Sequence, residues 1–311
     1  MDLRQLAALV AVADTGTFSA AAEVLHTVQS NVSTHVAHLE RSLGVTLVDR
    51  SGGCLTEEGE VVVARARRIQ AELDALSADV ASLRDEVAGN VRVGVIGTTG
   101  RWLMPPLLTA MGARHPAVRV AVLEGNTTSL LPHLLSGSLD LAMVNLPVTD
   151  QDVVVERLFE EDLIVVAPSD HPLALLDEVT LTDLASHELL LTPPGTSIRV
   201  DLDQAAAAAG VQLRAKAELD GLRLIASLSF EGYGAAVLPS SAVPSWLTGD
   251  WKRVPVRGVA RRCVGLARRR RGLLSAPSRV LTETLRDVVA DGWAEQPGIH
   301  LLPAQEPPQR G

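Results

Sequence analysis

The chain has 311 residues, 47% of them hydrophobic, two cysteines and a formal net charge of −9. That length suits two or three domains, and the hydrophobic share lets each bury a sizeable core. Cys54 and Cys263 lie far apart without metal-ligand neighbours, which argues against a disulfide scaffold or a metal site and fits a reducing compartment. Met1 leads straight into a helical pattern, and no run of about eighteen apolar residues occurs. The expectation is a cytoplasmic protein with no export signal and no membrane span.

Residues 2–15 read as a supporting helix, with Leu3, Leu6, Leu9, Val10 and Ala13 inward. Ser19 is placed to cap a short second helix with Ala21, Ala22 and Leu25 on one face. After a break at His26–Thr27, residues 29–43 carry Val32, Val36, Leu39 and Leu43 on one stripe. Gln29, Ser30, Ser33, Thr34 and His38 lie opposite and, with Ser19, are the candidate DNA contacts. Two such helices form a helix-turn-helix, whose second helix can enter the major groove of double-stranded DNA and read base edges. Gly44 signals a C-cap, and residues 45–48 and 54–55 are short enough for wing strands around Ser51-Gly52-Gly53. Arg50 at that wing is a candidate phosphate contact. Against this, residues 1–65 hold four arginines, no lysine and eight carboxylates, a formal −4, where a DNA-binding module usually shows a basic footprint.

Thr56 caps a long helix whose apolar positions run Val62, Ala66, Ile69, Leu73, Leu76, Val80, Leu83 and Val87. This 4-3 spacing is a heptad seam that calls for a partner helix, an identical chain being the simplest. Gly89–Asn90 interrupts the pattern, and short strands then alternate with helices to about residue 290. Such alternation predicts parallel sheets with helices on both faces. Three strand-to-helix turns are candidates to bind a ligand, because helix N-termini offer free N–H groups. They carry Thr98 and Thr99, Asn126 and Thr127, and Thr196 and Ser197. Asn145 directly follows a predicted strand and joins the set. Arg101 and Arg199 stand nearby, so the ligand is expected to be small, polar and anionic in preference to cationic. No HExxH, GxSxG or CxxC occurs, so neither an enzyme nor a cofactor or metal is expected. Residues 250–279 hold ten basic residues against Asp250, which is read as a solvated strand end.

The register Phe18-Ser19-x-Ala21-Ala22-x-x-Leu25-His26-x-x-Gln29-x-x-x-Ser33, then Leu39-Glu40-x-x-Leu43-Gly44-x-x-Leu47-x-x-Arg50 and Leu55-Thr56-x-x-Gly59, resembles the DNA-binding segment of LysR-type transcriptional regulators. Thr27-Val28 reverses the family's apolar-then-hydroxyl order, which predicts a shifted or weaker cap on the recognition helix. Gly137-x-Leu139-Asp140-Leu141-Ala142, His171-Pro172-Leu173 and Gly232-x-Gly234-x-Ala236-x-x-Pro239 resemble the family's regulatory domain. The resemblance implies an α+β multidomain chain: a winged helix-turn-helix over 1–58, a dimerisation helix over 59–88, and an effector-binding domain over 89–292 of periplasmic-binding-protein type. Lobe I would take 91–162 and 266–292, lobe II 163–265, and a flexible tail 293–311. The implied partners are DNA, a small-molecule effector between the lobes, a second copy of the chain as homodimer or homotetramer, and RNA polymerase. The alternatives are an effector-independent regulator, or a solute-binding or enzymatic α/β domain with an appended DNA-binding module.

Overall fold

The computed structural model describes residues 1–49, 54–83 and 87–302. Arg50 and the glycines after it lie outside these residues, and so does the role expected of that arginine.

Helices α1 (Leu3–Thr15), α2 (Phe18–Val24) and α3 (Gln29–Leu43) form the N-terminal domain. Asp2 and Gln5 close a capping box at the start of α1, and Gly16 ends it with φ 75°. Leu6, Leu9 and Val12 of α1 meet Ala21, Ala22, Val32, Val36 and Leu39 in one core. The two alanines bring α2 close to its neighbours, and His26 makes the turn with φ 51°. Leu3, Leu25 and Leu43, expected on the buried stripes, stay exposed at helix ends. Ser19 is not the cap of α2: the Thr17 hydroxyl accepts the Ala20 N–H, and Ser19 lies inside the helix. Helix α3 starts at Val28 with no side-chain cap, while the Thr27 hydroxyl accepts from Asn31 Nδ2 at 3.0 Å. Glu40 takes the Leu47 N–H at 2.8 Å, fixing the chain that leaves α3, and Val48 bridges Leu55 antiparallel.

Helix α4 (Glu57–Ser82) begins at the Thr56 cap. A Cβ at Gly59 would collide with the Leu47 carbonyl, so glycine lets α4 seat against the wing. Its first turns belong to the N-terminal core through Val63 and Ala66. Further along, Ala71 and Ala78 are buried, and Asp79 accepts the Ala276 N–H at 2.8 Å. Ile69, Leu73, Leu76 and Val80 of the heptad seam remain exposed. The helix stops before Leu83, so the seam is shorter than the spacing through Val87 suggested.

The remaining chain forms two sheets. The first gathers β1 (Gly89–Ile96), β2 (Val118–Gly125), β3 (Leu141–Asn145) and β4 (Val153–Glu161), with α5 (Gly97–Arg114) and α6 (Thr127–Ser136) between them. The second holds β5 (Leu163–Pro168), β6 (Glu188–Leu191), β7 (Arg214–Glu218), β8 (Ala235–Pro239) and β9 (Trp251–Pro255), with α7 (Leu181–Ala185), α8 (Ser197–Ala208) and α9 (Leu222–Phe230). The chain then returns to the first sheet through β10 (Arg262–Arg269), α10 (Ala276–Gly292) and β11 (Ile299–Leu301). The strand orders are β11-β4-β10-β3-β1-β2 and β7-β6-β8-β5-β9.

The sheets are mixed, not parallel as expected. β10 runs antiparallel to β3 and β4, and β5 antiparallel to β8 and β9. The chain crosses between sheets after β4 and again before β10, so strands beside each crossing enter from the opposite end. All of β10 from Arg262 lies in the first sheet, four residues earlier than the lobe boundary expected at 266. Residues 293–302 also differ from the flexible tail expected there: Gln296 is buried, and β11 pairs with β4. Among the described residues no single helix is long and apolar enough to cross a membrane.

Candidate functional site

The exposed face of α3 carries Gln29, Ser30, Thr34 and His38, with Ser33 half-buried beside them. Thr34 is less available than its position suggested, because its hydroxyl donates to the Ser30 carbonyl at 2.8 Å. Arg41 extends this face by one turn as its cation, with Nε donating to the Ala37 carbonyl at 3.3 Å.

The second candidate lies where α5 leaves the first sheet. Helix α5 starts with no side-chain cap, and Thr98 and Thr99 in its first turn are buried. Arg262 Nη2 donates to the Thr98 hydroxyl at 3.0 Å, and Arg262 Nε donates to Glu161 at 2.8 Å. Glu161 accepts the Ser241 N–H with its other oxygen at 2.9 Å. One buried network therefore joins the ends of both crossing strands to α5 and to the 240–242 turn of the second lobe. Neighbouring contacts also bridge the lobes: Arg223 of α9 pairs with Glu124 of β2, and the Arg101 guanidinium lies 5.3 Å from the centre of the Phe230 ring. Burial, then the charge of Arg223, lowers the Arg101 pKa from its usual value.

The other expected residues divide. Asn126 caps α6 in a box with Ser129. The Thr127 hydroxyl accepts the Asn145 N–H at 2.9 Å, which places Asn145 beside that turn. Thr196 is engaged locally: its hydroxyl donates to the Pro193 carbonyl and lies 2.6 Å from that of Thr192. Ser197 is exposed at the start of α8, and α5 meets the second lobe chiefly through the 240–242 turn and α9. Arg199 is held by Asp203, Glu218 and the Thr192 carbonyl, so it is not a free cation for a ligand. Among the described residues, three side-chain oxygens are buried without a partner: Thr99 Oγ1, Asn145 Oδ1 and Ser241 Oγ. Ser241, Glu161 and Arg262 carry no local sequence signal, since the tertiary fold alone brings them to α5. No group of three metal-ligating side chains occurs among the described residues.

A recognition helix in a small helical domain, a long helix and two linked α/β lobes are the layout of a one-chain transcription regulator. Residues 3–60 match the bacterial regulatory helix-turn-helix protein family of lysR type, and residues 84–290 match the LysR substrate binding domain. The chain belongs to the LysR family of transcriptional regulators: a DNA-binding domain joined to an effector-binding domain. A relative from Streptomyces viridosporus named "Probable hydrogen peroxide-inducible genes activator" is 33% identical over 297 residues, 93% of this chain and 95% of that one. A full-length variant of OxyR from Pseudomonas aeruginosa matches with TM-score 0.76 and 28% identity over 99% of both chains. CbnR in complex with its target DNA shares the fold, with TM-score 0.67 and 23% identity over 94% of this chain and 100% of that one.

Proposed function

We propose that the chain binds operator DNA as an oligomer through Gln29, Ser30 and Ser33 of α3, and that a small polar molecule between the lobes governs this binding. The observation that carries the effector reading is the set of three buried, partnerless oxygens: Thr99 in the first turn of α5, Asn145 beside the turn that starts α6, and Ser241 in the 240–242 turn. Each such group costs ~1–3 kcal/mol when left unpaired, which a ligand would recover. The Thr99 and Ser241 hydroxyls can donate, whereas Asn145 Oδ1 accepts, so the ligand needs acceptor oxygens and a donor of its own. Arg101 has no carboxylate partner among the described residues and favours an anionic group. Ligand preference for one lobe arrangement would shift the population of DNA-binding states.

The relatives' names tie them to hydrogen peroxide. Here Cys54 sits at the wing and Cys263 in β10, in separate domains, and no disulfide joins them. A disulfide needs Cα atoms within about 7 Å, so this pair is a poor intrachain switch, and a diffusible effector is the better reading. Promoter activation through RNA polymerase is part of the proposal, following the activator in the relative's name.

DNA fragments retained by the purified chain should share one sequence, and Gln29→Ala should weaken its binding by ~1–3 kcal/mol. Retention of unrelated fragments, unaffected by Gln29→Ala, would sink the DNA assignment. With the promoter so found, Thr99→Val and Ser241→Ala should blunt the response to whichever metabolite alters its output. If both variants respond like the parent, the effector lies elsewhere.

A further inference from the structure

The arginine run 268–271 at the end of β10 is not a uniform solvated surface. Arg269 turns inward, and its Nη1 donates to the Leu134 and Leu139 carbonyls at 2.8 and 2.7 Å, closing the C-terminal end of α6. Arg270 Nε donates to the Gln151 carbonyl at 2.6 Å. Arg271 makes no hydrogen bond or ion pair among the described residues and converges with Arg65 and Arg68 of α4. Those two are equally unpaired among the described residues. The three line a cavity of about 260 Å³ completed by Leu135, Asp152 and Arg269. An adjoining hollow adds Glu72 beside the same four arginines.

Four guanidiniums against Asp152 and Glu72 leave a formal excess of two positive charges. Helix α4 cannot relieve this repulsion by swinging away unopposed, because it is packed here: a Cβ at Gly137 would lie 3.2 Å from Arg68 Cα. A guanidinium presents paired N–H groups that match two oxygens of a phosphate, and three free ones around a small cavity complement a compact dianion. We propose that this cavity binds a phosphate-class dianion and thereby clamps α4 to the first lobe. The site is separate from the interlobe junction and does not depend on what binds there. Since α4 begins in the N-terminal core, the clamp would fix the angle between the DNA-binding domain and the first lobe. The same chemistry could reach the arginines as a free phosphate or as the backbone of bound DNA. The walls of α4 and β10 favour the free form, because both belong to the seam between domains.

The test uses the full chain and inorganic phosphate at constant ionic strength, with chloride as the balancing anion. Calorimetry should show one saturable site per chain. Arg65→Gln and Arg271→Gln, both at exposed positions, should each weaken it at least tenfold while circular dichroism stays that of the parent. Phosphate should raise the parent's Tm and leave that of the double variant unmoved. Absence of saturable binding by the parent overturns the proposal, as does binding by both variants as tight as the parent's. A loss of operator affinity in the variants, without phosphate binding by the parent, would assign the arginines to DNA and overturn it too.

Discussion

Glu161 is fully buried at the end of β4, with the Arg262 guanidinium on one oxygen and the Ser241 N–H on the other. Removing one member of a buried pair strands the other charge, which typically costs 3–5 kcal/mol. Glu161→Ala should therefore lower the urea-unfolding free energy by about that amount, and a loss under ~1 kcal/mol would show that water rescues Arg262. His171 gives a second test. Its Nδ1 accepts the Leu173 N–H, so the ring caps the 172–175 turn in its neutral form. Burial, then the nearby His187, lowers its pKa below the ordinary 6.5, with Asp170 opposing and Lys216 adding to the shift. The unfolded chain then binds more protons than the folded one between the two values. This contribution is complete above about pH 6.5 and is lost as pH falls toward the folded value. His171→Asn keeps an acceptor without a titrating charge, so its unfolding free energy should change less than the parent's between about pH 7 and 5.5. At this scale the sequence was legible where a role is local. The span of α3, Gln29–Leu43, could be placed from its neighbours, whereas Asn126, expected to bind a ligand, caps α6. The Glu161–Arg262 pair could not, because its members are 101 residues apart and meet only across the sheet.

Helix α4 shows what periodicity can and cannot tell. Its 4-3 spacing was plain, but the structure splits that seam. Ala66, read as a seam position, faces its own chain with Ala71 and Ala78, while Leu73 and Leu76 stand 39% and 61% exposed. An apolar row so exposed on a helix invites a second copy. Leu73→Glu or Leu76→Glu should dissociate that pair in sedimentation, whereas unchanged sedimentation of both would remove the seam as an interface. The helix end was less legible, since Leu83 and Val87 keep the apolar spacing but lie outside the helix. Strands show the same limit. β5, with six buried residues in a row, was readable to its last residue, whereas β7 and β9, RAKAE and WKRVP, sit at the sheet's two edges and carry no continuous apolar signal. β4 was hidden by its glutamates, one of which is the buried Glu161.

Over the whole molecule, alternating strands and helices made an α/β region legible and the family resemblance implied its two lobes, but the strand directions were not legible, because direction depends on where the chain crosses between sheets. The segment after α10 ties those crossings together. Gln296 donates from Nε2 to the Ser240 and Val243 carbonyls at 2.9 and 3.0 Å, and its Oε1 accepts the Ser245 N–H. The Gly298 carbonyl accepts the Asp162 N–H at 2.8 Å, and β11 covers the outer side of β4. The match to the family's substrate-binding domain stops at residue 290, short of all this. A shortened chain cut there would bare a row of unpaired N–H and C=O groups along β4, a template for pairing with another molecule. Light scattering should show residues 1–292 gaining mass with concentration beyond the state of residues 1–302. The last strand would then act as a solubility tag built into the protein, and trimming it for convenience would trade a regulator for an aggregate.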